Sequence, residues 1–418
     1  MLARLRTIWV AVRDSLWFLP AVLTLLAAIL AIGLVQFEAA YEPTLWEGGH
    51  WLVGGSVDGA RAVLSTIAGS LITVTGVVFS VTIVALQLAS SQFTPRILRN
   101  FIADRSNQLV LGVFIATFTY TLLVLRVVRS IEEGEEFVPQ LAVSLAIIFA
   151  LVSIGFLIHF IHHAARSMQA SVILDRVSTA ALEQVRRLFP VEVGEAEGEA
   201  PAHEELPSAA AQVVVAVNEG YLQAVDGTSL FQLGQRQRML VQMAQPLGTF
   251  ILAGAPLARV WADGDLADDV QQEIRKAFIL GAQRTPEQDL EFHLLEISDM
   301  AVKALSAGIN DPTTAKHAID RLTQVLLALG KRRPPAPLRT KSGTVHFIAQ
   351  PLTFETAVEV SFGPILHFGR DNPSVVQKLR RAIDSLQELL SAERHEALRA
   401  FRKRLEECSG RAESDSGV

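Results

Sequence analysis

The chain has 418 residues, a formal net charge of −6 and a single cysteine, Cys408. That charge leaves no electrostatic footprint for nucleic acid, and one cysteine excludes both an intrachain disulfide framework and a cysteine-built metal site. Half of the residues are hydrophobic, an ordinary average, yet the apolar residues crowd before Arg166 and the charge runs follow it.

A helix crossing a bilayer core of roughly 30 Å needs about 20 mostly apolar residues. Four segments qualify, over residues 15–37, 62–89, 108–128 and 139–161. They predict a four-helix transmembrane domain over residues 1–165. The first apolar run is too long for a signal peptide and no A-x-A pattern follows it, so it is read as retained. Arg4, Arg6 and Arg13 precede it, and the next loop carries Glu38, Glu42, Glu47 and Asp58. Arg96, Arg99 and Arg105 follow the second helix, and the acidic run Glu132–Glu136 follows the third. Basic residues therefore alternate sides, and the positive-inside rule places both termini in the cytoplasm of a bacterial inner membrane.

The second helix is unusual. No charge occurs between Arg61 and Arg96, and its polar residues are ordered. Thr66, Thr73, Ser80, Gln87 and Thr94 recur every seven positions, and Gly69, Gly76 and Ser90 nearly follow a second series. A seven-residue step drifts only about 20° on a helix, so the two series make one slowly winding stripe. Such a stripe suits close helix packing, because small residues let backbones approach. It also suits a pore lining, because hydroxyls and an amide can wet a path without charge. After it, Arg96, Arg99 and Arg105 alternate with Ile97, Leu98, Phe101 and Ile102, as in a basic amphipathic helix on the inner leaflet.

His159, His162 and His163 end the fourth helix. Positions 159 and 163 are one turn apart, a ligand-compatible spacing for a metal. With no carboxylate nearby in sequence, the favoured reading is interfacial histidines.

Three strings carry a likeness: ITVTGVVFSVTIVALQLASSQFTPRILRNFIADR, LIHFIHHAARSMQ and ALSAGINDPTTAKHAIDRL. Together they resemble a bacterial family of predicted membrane proteins catalogued only as a domain of unknown function. The resemblance implies several membrane helices followed by a cytoplasmic region, and it carries no activity to transfer.

Beyond the membrane part, the expected fold is a cytoplasmic α+β region. Residues 166–190 read as a connecting helix that continues from the membrane, and residues 191–211 as an acidic flexible linker. Residues 212–262 read as a small β domain. It needs no attached cofactor, since no lysine occurs between Ala164 and Arg275. Residues 263–410 read as mainly helical, with helices over 266–280, 287–306 and 314–329, a short strand at TVHFIA, and two amphipathic helices over 374–390 and 393–408. Residues 411–418 read as a disordered tail. Gly308 is placed to close one helix in the left-handed conformation, with Asn310 in the same turn. Asp311 is placed to cap the next helix and Pro312 to open it. His293, Glu296 and Asp299 share one side of the 287–306 helix. They could bind metal or do acid–base work, but a solvated face with internal ion pairs, for example to Lys303, is the favoured reading.

The function these features point to is a homo-oligomeric channel or pore-like protein with a cytoplasmic regulatory domain, the second helix lining or packing at the axis. Its partners would be membrane lipid and further copies of itself, without nucleic acid or cofactor. The alternative is a membrane-anchored signalling or scaffold protein whose cytoplasmic domain binds an unidentified partner or small ligand. No Gly-rich phosphate loop and no nucleophile elbow occurs, so the chain does not read as an enzyme.

Overall fold

A computed structural model describes residues 15–41, 57–92, 104–128, 137–167, 169–189, 210–333, 338–341 and 344–415. The chain divides into two units, Met1–Gln169 and Ala170–Val418.

The first unit holds α1 (Phe18–Tyr41), α2 (Val57–Gln92), α3 (Arg105–Leu125) and α4 (Gln140–Ser167). All four are long and apolar enough to cross a membrane. At 1.5 Å per residue, α2 is about 54 Å long, well beyond a bilayer core. The central helix is α3: half of its most apolar window is buried, against 17–22% in the other three. Gly112 explains part of that. A Cβ there would lie 2.7 Å from Leu23 Cδ1 and 3.2 Å from Pro20 Cα, so only glycine lets α1 and α3 approach this closely. Tyr120 of α3, fully buried, donates to the Ala142 carbonyl of α4 at 3.0 Å. Thr117 and Ser153 hydroxyls meet at 3.3 Å between the same helices.

One end of this unit is tied by two charges. Glu38, expected in a loop, lies inside α1, which runs to Tyr41. Its carboxylate accepts from the Leu141 and Ala142 amides at 2.7 and 3.0 Å, so α1 supplies the N-terminal cap of α4. That satisfies two of the donors a helix start leaves open and favours negative charge there. Arg61 of α2 donates to the Val128 carbonyl just beyond α3 at 3.0 Å.

The second unit begins with α5 (Ala170–Leu188). A connecting helix continuing from the membrane was expected over residues 166–190. Instead α4 ends at Ser167 and α5 starts anew at Ala170. The strands are β1 (Gln212–Val215), β2 (Gly220–Val225), β3 (Leu240–Met243), β4 (Phe250–Ile251), β5 (Pro256–Trp261), β6 (Phe278–Gly281), β7 (Leu338–Lys341) and β8 (Thr344–Ile348). They form a five-stranded sheet, β1-β5-β3-β8-β7, and a three-stranded sheet, β4-β2-β6. The pairings are antiparallel except β3 with β8. Two helices belong to this part, α6 (Gly227–Gln237) and α7 (Asp268–Ala277). The core between them gathers Val214, Leu222, Leu230, Val241, Val260, Ile274 and Phe347.

The β region is therefore not contiguous at 212–262. Strands β6, β7 and β8 come from the stretch read as mainly helical, and the helix expected over 266–280 stops at Ala277. Phe278–Gly281 leaves the helix because it pairs with β2, Val225 opposite Phe278. Helix α6 was not anticipated, in a stretch read only as part of the β domain. Gly234 is there for space: a Cβ would sit 2.7 Å from the His346 carbonyl oxygen of β8.

The remaining helices are α8 (Leu290–Ala304), α9 (Pro312–Gly330), α10 (Phe354–Gly369), α11 (Pro373–Leu389) and α12 (His395–Asp415). Helix α12 continues into residues read as a disordered tail. Helix α10 was missed, with Pro364 inside it. A proline removes one hydrogen bond and crowds the preceding turn. Here burial of Ala357, Val358, Phe362, Ile365 and Leu366 offsets that cost.

Candidate functional site

The stripe on α2 faces away from the other described helices of its own unit. Leu64, Ala68, Leu71, Val78 and Ala85 are buried, whereas Thr66, Gly69, Thr73, Gly76, Ser80 and Gln87 are all exposed. At 100° per residue the two sets lie on roughly opposite sides of the helix. A Cβ at Gly69 or Gly76 would meet nothing within 4 Å. The Thr66 and Thr73 hydroxyls fold back onto carbonyls four residues earlier, at 2.7 and 3.0 Å. Among the described residues, then, the small residues serve no packing within one chain. Thr94, Arg96 and Arg99 lie outside the described residues, and Arg105 is the exposed first residue of α3.

At the α4 end, sequence proximity misleads. His163 has a carboxylate beside it in space: its Nε2 is 3.1 Å from Asp104 Oδ2. Asp104 also caps α3, its Oδ1 accepting from the Ser106 amide at 2.9 Å. His159 stacks on His163 with ring centroids 5.9 Å apart, and its Nε2 is 3.5 Å from the Ser106 hydroxyl. His162 is exposed. These contacts tie α4 to the start of α3. Among the described residues no three His, Cys, Asp or Glu side chains come together to hold a metal ion.

The solvated face expected on α8 is corrected. Glu296 is 1% exposed, and its Oε2 lies 3.0 Å from His293 Nδ1. Asp299 is half-buried on the same helix. A buried carboxylate is tolerated only when paired and hydrogen-bonded, and His293 supplies that partner. Helix α8 is covered by α5, α9 and α10, so most of the surface its polar residues were expected to make is hidden, and Glu296 is fully so.

The turn after α8 follows expectation except at one residue. Asn310, with φ of 46°, takes the left-handed conformation that was assigned to Gly308. Asparagine tolerates this region better than other side chains. Asp311 caps α9, its Oδ1 accepting from the Thr313 and Thr314 amides at 3.0 and 3.1 Å, with Pro312 at the first position. The Thr314 hydroxyl and amide, with smaller help from Thr313 and His317, hold the Asp311 carboxyl below its ordinary 3.8. A lowered value in the folded state means that the stabilisation is complete above the unfolded pKa. It is lost as pH falls through the folded one. Asp311→Ala is expected to cost about 1 kcal/mol at neutral pH, and Asp311→Asn much less, both read by thermal unfolding. The gap between Asp311→Ala and the parent should narrow on acidification below pH 3.8.

A second polar node escaped sequence reading altogether. Arg284, half-hidden, makes a two-pronged contact with Asp289 and reaches Glu291 at 3.2 Å. Burial alone would lower the Arg284 pKa, but bonding to Asp289 and the two carboxylate charges raise it. Asp289 caps α8 through the Phe292 amide at 3.2 Å. Gly248, with φ of 80°, lies directly against this pair, and a Cβ there would strike both Arg284 and Asp289. The same segment takes bonds from Gln184 and Arg187 of α5, at the Pro286 and Glu287 carbonyls. It takes another from the Val225 amide of β2 through Gln288 Oε1, at 3.0 Å. Residues 284–289 therefore join the first helix of the unit, the β region and the helical bundle.

Comparison with known proteins bears on class rather than chemistry. Residues 13–385 match the family described as "Predicted membrane protein (DUF2254)". The chain belongs to this family. Similar relatives are uncharacterized proteins of Mycobacterium bovis and Mycobacterium tuberculosis, each 33% identical over 338 residues. The match covers 79% of this chain and 64% of each relative. No solved structure matches. The three sequence blocks noted above all fall inside the family match, and so do the α2 stripe, the Asp104–His163 contact and the 284–289 node.

Proposed function

We propose that this family member is a homo-oligomeric channel or pore-like protein of the bacterial inner membrane, with both termini in the cytoplasm. The second unit would be its cytoplasmic regulatory domain. The observation that carries the reading is the outward-facing stripe on α2. In lipid, apolar packing offers little net gain for one helix side over another, so glycines and hydroxyls favour contacts between helices. Gly69 and Gly76 leave a shallow groove there, and none of the described residues fills it. A symmetric assembly would bring the grooves together and could place Ser80 and Gln87 along its axis. The length of α2 suits a helix that tilts around such an axis or extends beyond the bilayer.

A second reading, an anchored scaffold, draws on a different surface. Val217, Phe250 and Leu252, near β4 at the edge of the three-stranded sheet, are 69%, 48% and 60% exposed. One experiment separates the two. Purified protein is sized in detergent and tested in liposomes for release of cations and of anions. An oligomer that leaks supports the channel. A monomer, or an oligomer through which neither ion class passes, leaves the scaffold.

A further inference from the structure

The helical bundle of the second unit has a defined direction. Asp175 of α5 pairs with Arg321 of α9 at 2.9 Å, and farther along both helices the Phe189 carbonyl accepts from Arg332 at 2.7 Å. Helices α5 and α9 therefore run parallel. Asp320 of α9 pairs with Lys378 of α11 at 2.5 Å, and a Cβ on Gly330 would lie 2.6 Å from Leu390, so α11 runs the same way. Helices α8 and α10 run back: a Cβ on Gly369, the last residue of α10, would lie 3.0 Å from Leu305, at the end of α8. One end of the bundle thus collects the starts of α5, α9 and α11 and the finishes of α8 and α10.

That end is tethered. Ala170, where α5 starts, is three residues beyond Ser167, where α4 finishes, and three residues span at most about 10 Å. Helix α4 has 28 residues, about 42 Å, which matches a bilayer including its headgroup layers. On the reading that α4 crosses the bilayer, Ala170 lies close to the membrane surface, whatever the angle between the units. With Asp175 level with Arg321, Ala170 is level with Lys316. The turn before Pro312 projects about one helical turn, roughly 6 Å, past the start of α5.

The same end exposes apolar side chains in a basic setting. Phe368 is 59% exposed and Ile309 40%. Lys303 and Lys316 flank the turn, and Arg370 follows Phe368. Asp371, 3.9 Å from Arg370, and Asp311 in the turn itself offset part of this charge. Apolar side chains set among bases suit the boundary of a bilayer with anionic lipid, where both contributions act together.

We propose that this end of the bundle rests on the bilayer surface, with Phe368 and Ile309 in the headgroup layer and Lys303, Lys316 and Arg370 over anionic phosphates. The inference rests on the membrane-spanning reading of α4 and not on conduction.

The test uses the full chain carrying Cys408→Ser, reconstituted in phosphatidylglycerol-containing liposomes. An environment-sensitive fluorophore is placed in turn through Phe368→Cys, Leu389→Cys and Leu151→Cys, and nitroxide-labelled lipid is the quencher. Leu389 is 55% exposed and equally apolar, but it lies at the far end of α11, about 24 Å away. Leu151, 63% exposed on α4, reports the span itself. Loss of fluorescence at 151 and 368 but not at 389 is the expected result. Quenching at 151 without quenching at 368 overturns the surface contact and leaves the span standing. In that case access of aqueous iodide to 368 separates a solvated end from one covered by a second copy. Equal quenching at 368 and 389 also overturns the proposal, and no quenching at 151 removes the spanning reading with it. Ile309→Cys repeats the reading should Phe368→Cys fail to fold.

Discussion

Gly76→Leu is expected to separate the assembly from the fold of the single chain. Among the described residues of one chain, a Cβ at position 76 would meet nothing within 4 Å. Replacing glycine inside a helix also gains up to about 1 kcal/mol of helix propensity. The monomer should therefore unfold no more easily than the parent. Between chains the effect reverses, because a leucine fills the groove that permits backbone approach. A loss of about 3 kcal/mol per contact would weaken association roughly a hundredfold. The expected outcome is a smaller particle in detergent and loss of liposome flux, with thermal stability unchanged or raised. Gly155 on α4 is equally open in the single chain but lies off the stripe, so Gly155→Leu should assemble and leak as the parent does. Parental assembly and flux in Gly76→Leu would remove the stripe from any part in self-association.

Gly248→Ala should be the most damaging single-atom change in the second unit. Two costs combine. A left-handed φ of 80° strains any L side chain by about 1–2 kcal/mol. The added methyl also collides with the Arg284–Asp289 pair, whose side chains are 16% and 4% exposed. Forcing a buried ion pair apart costs about 3–5 kcal/mol, because each charge then lacks its partner. Gly254 is the internal control, with φ of 84° and no atom within 4 Å of a Cβ. Gly254→Ala bears only the backbone term. Thermal unfolding of the full protein should place Gly248→Ala well below Gly254→Ala, by roughly 6 °C or more for a unit of this size. Similar melting of the two variants would mean that Arg284 and Asp289 move aside freely and that the node does not hold the unit together.

The node also shows why sequence reading stopped where it did. The contacts that anchor it join residues far apart in the chain: Gly248 to Asp289, Gln184 to Pro286, Val225 to Gln288. None leaves a periodic trace. The same holds for Glu38, whose role as the cap of α4 is invisible from its place after an apolar run. Asp104 and His163 likewise read as unrelated until α3 and α4 bring them within 3.1 Å. The position that carried a local signal was Gly248, in a Pro-Leu-Gly sequence, and it was passed over as part of the β domain.

What could be read was local. The four apolar spans follow from run length, the α2 stripe from a seven-residue period, and the start of α9 from Asp311 and Pro312. In each case the interacting groups lie within a turn or two of one another, so the chain's own repeat carries the information. The tertiary structure alone decided which way the stripe faces, where the 266–280 helix ends, and that Glu296 is buried rather than solvated. It also decided that β8 would join β3 across a hundred residues. Each of these depends on which distant segment covers a given surface, and burial against a remote partner outweighs local propensity when the two conflict.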